Sequence, residues 1–236
     1  MTTRRPIAFA HRGASGHAHE NTIEAFRLAL AQGATGLESD TWLARDGVPI
    51  LIHDPTSRHR GRRIYVRRRT ARDLAALDIP TLAELYAACG TGFELSLDLQ
   101  HPEVGFPVLE VAEAASATDR LWACHDDLEF LLGLRRRSRE VHIVCSTRPR
   151  RMGETVTERI RRLADLGIEV LNMKWPDWTS ERVETAHAAG LLAFGWDAQD
   201  DDAMERLLTM GIDGLYSDFP DRLVAAIERA SRRPSL

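Results

Sequence analysis

Short apolar runs alternate along the chain with longer stretches in which apolar residues recur every three or four positions. The runs near residues 7–11, 36–42, 93–99, 120–124, 141–146, 169–174, 191–196 and 213–217 are too brief for helices and predict strands. Phe93–Leu99 alternates apolar and polar residues cleanly, as a half-buried strand should. A further extended segment, 49–53, follows a turn at Gly47. Helical spacing fills 107–116, 126–137, 153–166, 179–189, 201–210 and 220–232. Asn21-Thr22 opens the first helix and Gly33 stops it after Gln32; Pro80-Thr81 opens another that Gly90 closes. Eight strand-then-helix units predict an α/β chain folded as a (β/α)8 TIM barrel, a single domain over residues 1–236. Residues 55–80 stand out as a short Arg-rich insertion after strand 2, with a short helix near 70–77.

In a barrel of this kind the reactive groups gather where the strands end. His11, Glu38, Asp40, Asp98, His125, Lys174, Trp196 and Asp218 all fall at such ends. In Glu38-Ser39-Asp40 the acids are two residues apart, so on a strand both carboxylates share one face. Such a pair repels itself unless a cation or proton lies between, and oxygen ligands suit Mg²⁺ or Ca²⁺. His11 follows Ile7-Ala8-Phe9-Ala10 and His53 follows Ile50-Leu51-Ile52, so each imidazole sits just past an apolar strand. Two imidazoles flanking a metal suggest acid–base catalysis near neutral pH.

Composition narrows the field. A hydrophobic fraction of 44% and a charged fraction of 28% are ordinary for a soluble globular protein. The net charge of −4 argues against general nucleic-acid affinity. No apolar run is long enough to span a bilayer, and Met1–Pro6 lead directly into the first strand without a secretory segment, so a cytoplasmic protein with no stable membrane insertion is expected. Cys89, Cys124 and Cys145, odd in number and in apolar contexts, read as reduced thiols. Seven arginines lie between Arg58 and Arg69, either a solvated surface run or an electropositive rim that draws an anionic substrate inward. Lys174 is the only lysine in the chain.

Taken together, the motifs resemble the glycerophosphodiester phosphodiesterase family. The resemblance is carried by His11-Arg12-Gly13, by His19-Glu20-Asn21-Thr22 (where the family usually has Pro-Glu-Asn-Thr), by Gly33–Asp40, by Asp46-Gly47-Val48-Pro49 and by His53-Asp54. Near the other end, Gly211-Ile212-Asp213-Gly214 and Ser217-Asp218-Phe219-Pro220 match the family's closing motif. What it implies is a barrel that hydrolyses a phosphodiester with one divalent cation, Mg²⁺ or Ca²⁺, and two acid–base histidines, His11 and His53. Glu38 and Asp40 are implied as two ligands. The third, usually a Glu followed two residues later by Lys, falls on Asp98, with Gln100 in the lysine's place. Gln100 carries no charge, so Lys174 is expected to replace that cation in part from across the barrel mouth, or else to lie at the surface over Trp175.

The remaining site candidates follow from their chemistry. Arg12 offers planar, charge-assisted hydrogen bonds to a phosphate. Glu20 and Asn21 either support Arg12 and the metal ligands from behind or cap the first helix. Asp54 is expected to orient a histidine or Arg12. Trp196 forms either a wall against the alcohol or part of the core, and Trp175 and Trp178 form an apolar lip. His17, His19, His59, His101, His125, His142 and His187 are expected to be structural or exposed. The expected reaction converts a small-molecule glycerophosphodiester to glycerol 3-phosphate and an alcohol, with water or a neighbouring substrate hydroxyl as nucleophile. The alternatives are a lysophospholipase D, favoured by the tryptophan lip, and a weakly active barrel that binds phosphorylated ligands, favoured by Gln100. A glycosidase fits poorly, since its carboxylates should flank the bond rather than stand side by side. The sequence leaves the oligomeric state open.

Overall fold

The computed structural model describes residues 5–59 and 62–232, and for residues 57–59 and 62 the backbone alone. Residues 1–4, Arg60 and the side chains of Arg58, His59 and Arg62 thus lie outside the described residues, and with them part of the basic block. The chain runs β1 (Ile7–Ala10), α1 (Ile23–Ala31), β2 (Gly36–Leu43), β3 (Pro49–Leu51), β4 (Thr56–His59), β5 (Arg62–Tyr65), α2 (Ala71–Ala75) and α3 (Leu82–Cys89). There follow β6 (Glu94–Leu99), α4 (Gly105–Ala114), β7 (Leu121–His125), α5 (Leu128–Arg137), β8 (His142–Ser146), α6 (Pro149–Met152) and α7 (Val156–Leu166). The last third is β9 (Val170–Lys174), α8 (Ser180–Ala188), β10 (Leu192–Trp196), α9 (Asp201–Met210), β11 (Gly214–Ser217) and α10 (Pro220–Ser231).

Strands β1, β2, β6, β7, β8, β9, β10 and β11 pair in parallel in that order, and β1 also pairs with β11, closing the sheet into a (β/α)8 barrel. Period-two alternation splits the apolar side chains into two layers. Ile7, Phe9, Trp122, Cys124, Val144, Val170, Phe194 and Tyr216 fill one buried cluster, the barrel interior. The Phe9 and Tyr216 rings stack with centroids 4.6 Å apart. A Cβ at Gly36 would come within 2.5 Å of the Phe9 ring, so only glycine lets β2 pass there. The alternate residues face outward and pack against the helices in a larger cluster that includes Leu37, Leu97, Ile143 and Leu171. Fully burying each such side chain stabilises the fold by about 1.5–3 kcal/mol.

Helix starts follow local chemistry. Thr70, Thr81 and Thr155 each form a reciprocal capping box with an acid three residues on. At α1 the cap is Thr22, whose hydroxyl accepts from the Ala25 amide; Asn21 precedes it with a φ of +56° and is no cap. The insertion departs from expectation: β4 and β5 form an antiparallel hairpin ahead of a helix of only five residues. The expected helix at 153–166 is α7, starting three residues later at Val156; a short additional helix, α6, precedes it and ends at Gly153, which holds a φ of +67°. Strand β3 ends at Leu51, so His53 lies two residues beyond it. No helix among the described residues is long and apolar enough to cross a membrane.

Candidate active site

The inward-facing alternation of each strand continues past the strand end into a cavity of about 470 Å³ at the C-terminal mouth. On β1 the inward set Ile7, Phe9 leads to His11; on β2 it supplies Glu38 and Asp40; on β6 it supplies Ser96 and Asp98. Register places Asp40 directly beside Asp98. The outcome is a triad of carboxylates, Glu38, Asp40 and Asp98, that can each offer one oxygen within 4.8 Å of the others. His53, Arg12, Gln100, His125, Arg148 and Trp196 line the same cavity.

The turn after β1 is built to present backbone and side chain together. Arg12 takes a φ of +56° and Gly13 one of +77°. A Cβ on Gly13 would lie 2.7 Å from the Ala25 backbone. So folded, the Arg12 amide donates to Glu38 Oε2 at 2.8 Å and its guanidinium donates to Glu20 Oε2 at 2.9 Å. Arg12 Nε also stands 3.3 Å from Asp40 Oδ2. Asn21 is buried and accepts from the Ser39 hydroxyl at 2.6 Å, tying the loop to the outer face of β2. Behind the site, Glu20 thus contacts Arg12, and Asn21 contacts the strand that carries the acids.

His11 is held by a residue that sequence reasoning left out of the site. Its Nδ1 lies 2.6 Å from Asp218 Oδ1, and its Nε2 points to Glu38 Oε2 at 3.9 Å. Asp218 in turn accepts from the Ser15 hydroxyl at 3.0 Å, while its amide donates to Gln199 at 2.9 Å. The signal was present, since Asp218 closes β11, the strand paired with β1. What one sequence hides is a contact across 207 positions. His53 is more open, with Nδ1 3.0 Å from the exposed Asp54 carboxylate and its carbonyl accepting from Trp42 Nε1 at 3.1 Å.

Electrostatics mark the triad as short of positive charge. Burial pushes Glu38 up to about 8, with Asp40 and Asp98 adding to the shift and His11 opposing it. Burial likewise pushes Asp98 up to about 7, reinforced by Asp40. Burial alone would lower His11, but the Glu38 carboxylate and the bond to Asp218 outweigh it and raise the imidazole to about 9. Asp40 Oδ2 is buried and accepts no hydrogen bond, although its other oxygen accepts from Gln100 Nε2 at 2.7 Å. Three crowded acids, two of them pushed toward protonation, and an unused oxygen fit a hard divalent cation. Glu38, Asp40 and Asp98 would hold it.

Other expectations need correction. Lys174 does not line the cavity: its ammonium pairs with Asp197 at 2.6 Å and lies 5.6 Å from the Trp196 ring centre. Trp178 cannot form a lip, because it is fully buried and its Nε1 donates to the Phe194 carbonyl at 2.7 Å. Trp175 is partly buried against the core, under Arg206. Cations missed by the sequence reading, Arg148, Arg150 and Arg151, enter the cavity from the segment after β8. They fall between the expected strand at 141–146 and the expected helix at 153–166, where the pattern carries no signal that flags them.

A family model described as "Glycerophosphoryl diester phosphodiesterase family" matches residues 11–222. The chain belongs to that family. By that membership it is a phosphoric diester hydrolase. A glycerophosphodiester phosphodiesterase of Bacillus altitudinis is 27% identical over 92% of this chain and 96% of its own length. One from Caldanaerobacter subterraneus is 24% identical, covering 95% of this chain and 99% of that protein. Among solved structures, an Oleispira antarctica phosphodiesterase in complex with the product sn-glycerol-3-phosphate superposes with a TM-score of 0.82, at 24% identity over 94% of this chain and 97% of that one.

Proposed function

We propose that the chain, as a single catalytic domain, hydrolyses a glycerophosphodiester to glycerol 3-phosphate and an alcohol, that it needs a divalent cation, Mg²⁺ or Ca²⁺, and that His11 and His53 exchange the protons. The observation that carries the reading is the pairing in one cavity of the Glu38–Asp40–Asp98 triad with two carboxylate-held imidazoles. The Oleispira protein bound to sn-glycerol 3-phosphate supports the same product for a barrel of this shape. A cation bound by the triad would neutralise a non-bridging phosphate oxygen as charge builds there.

The chain's own groups do the rest. Asp218 takes the Nδ1 side of His11 and Asp54 takes that of His53, which leaves Nε2 of each ring for proton transfer. One ring removes a proton from the nucleophile, water or a substrate hydroxyl, and the other returns one to the leaving alkoxide. Arg12, fixed by Glu20, stabilises the acids and stands beside the phosphate position. Trp196 supplies an apolar wall for the alcohol.

The test is incubation with glycerophosphocholine, glycerophosphoethanolamine and lysophosphatidylcholine, with Mg²⁺, Ca²⁺ or chelator, followed by identification of the phosphorylated product. Glycerol 3-phosphate from the first two, lost in chelator, is the expected result. Release of lysophosphatidic acid would instead assign a lysophospholipase D, and no turnover under any condition would leave a ligand-binding barrel. His11→Ala and His53→Ala should each lower kcat by about 10²–10⁴ with the fold intact; near-normal turnover in either removes that ring from the mechanism.

A further inference from the structure

Charge is divided across the cavity. The carboxylate triad stands on β2 and β6, whereas Arg148, Arg150 and Arg151 enter after β8, two strands round the barrel from β6 and three from β2. Two cations nearby are closely paired. Arg12 is shared by Glu20 and Asp40, and Lys174 is paired with Asp197 at 2.6 Å. The arginines after β8 are held less closely. Arg151 faces Asp126 and Arg148 faces Asp177, each only at 3.8 Å, and the Arg148 guanidinium lies 5.5 Å from the centre of the Trp196 ring that lines the cavity. Arg150 is exposed, and its side chain makes no ion pair or hydrogen bond among the described residues. In the same cavity Asn172 is 4% exposed and its Oδ1 has no partner, while its Nδ2 donates to Ser146.

The diester itself is to be reacted at the triad, and a simple glycerophosphodiester carries no other anion. Guanidiniums on the segment after β8, two strands round from Asp98 and without a close carboxylate partner, suit a second anion. Glycerol contributes only uncharged hydroxyls, so that second charge must sit on the other moiety. We propose that Arg148 and Arg150 form an anion subsite for the alcohol, and that the preferred substrates are glycerophosphodiesters whose alcohol is a polyol bearing a phosphate of its own. Trp196 holds the Arg148 plane, and the free Oδ1 of Asn172 accepts from a hydroxyl of the polyol. The inference rests on the phosphodiesterase reading and names its substrate class.

The matched pair glycerophosphoinositol and glycerophosphoinositol 4-phosphate differs by one phosphate on the leaving alcohol. With saturating divalent cation, kcat/KM should favour the phosphorylated member by about tenfold, chiefly through KM. The preference should shrink as NaCl is raised, because both arginines are open to solvent. In R150A, and more fully in R148A/R150A, the ratio should fall to about one, with glycerophosphoinositol far less affected than its phosphorylated partner. A wild-type ratio near one with both compounds hydrolysed would overturn the subsite and leave the phosphodiesterase reading standing. Equal losses on both compounds would also overturn it, by assigning the arginines to the scissile phosphate. Failure of the wild type on every glycerophosphodiester would remove both readings together.

Discussion

Asp218 does for His11 what no neighbour in sequence could. It fixes the ring at Nδ1, leaving Nε2 for chemistry, and with Glu38 it keeps the imidazole charged despite burial. The conservative change Asp218→Asn preserves shape and removes the charge. It also lets the amide donate to Nδ1, which favours the wrong tautomer. We expect kcat to fall by about 10–100-fold while KM moves by less than about threefold, since Asp218 acts through His11 rather than on substrate. Steady-state kinetics of D218N on glycerophosphocholine checks this, and Asp218→Glu should recover part of the loss. A change confined to KM would mean that Asp218 contacts substrate instead. Much of the site was legible one residue at a time, because i, i+2 spacing and strand-end position are local signals: Glu38 and Asp40 are two apart, and His11 and His53 each follow an apolar run. Asp218 was legible as a strand-end acid but not as the partner of His11, and the Arg148–Arg151 group was not legible, since those meanings arise only when β11 meets β1 and β8 closes the same cavity.

At the scale of elements, the strands of the barrel announce themselves because their apolar content is dictated by burial on two faces. The β4–β5 hairpin does not, because its arginines hide any apolar alternation; Ile64 on β5, and Val66 just after it, reach the small cluster beneath. Trp178 misleads for the converse reason: flanked by Asp177 and Thr179 it reads as surface, yet its indole finds the Phe194 carbonyl and the core. One element sensitive to a single change is the β1–α1 turn. Gly13 combines a left-handed φ with a contact that a methyl group could not survive, and the clashing atoms are the Ala25 backbone, which cannot swing aside. Gly13→Ala should therefore cost about 2–4 kcal/mol of unfolding free energy in urea titrations. It should also lower kcat/KM more than stability alone explains, because Arg12 would lose its amide bond to Glu38. A stable, active G13A protein would show that the turn tolerates another path.

For the molecule as a whole, the same crowding of acids that suits a cation must tax the fold when none is bound. Glu38 and Asp98 titrate near 8 and 7 when folded, above the ordinary carboxylate range of about 4. Between those limits the folded chain keeps protons that the unfolded chain has released, so stability falls as pH rises. His11 works in the same direction. Its folded value near 9 lies above its ordinary 6.5, so its contribution is complete below about 6.5 and is lost as pH climbs through 9. In chelator, Tm should thus decline from about pH 5 to pH 9. A divalent cation replaces the missing protons and binds only the assembled triad, so it should raise Tm most at the alkaline end and flatten the slope. Replacing Glu38 and Asp98 by Gln and Asn should flatten the chelator curve too, without any cation. A melting series at five pH values, with EDTA and with Mg²⁺ or Ca²⁺, separates the possibilities: a slope that is the same with and without cation would mean that the three carboxylates hold no metal, and that their mutual repulsion is relieved some other way.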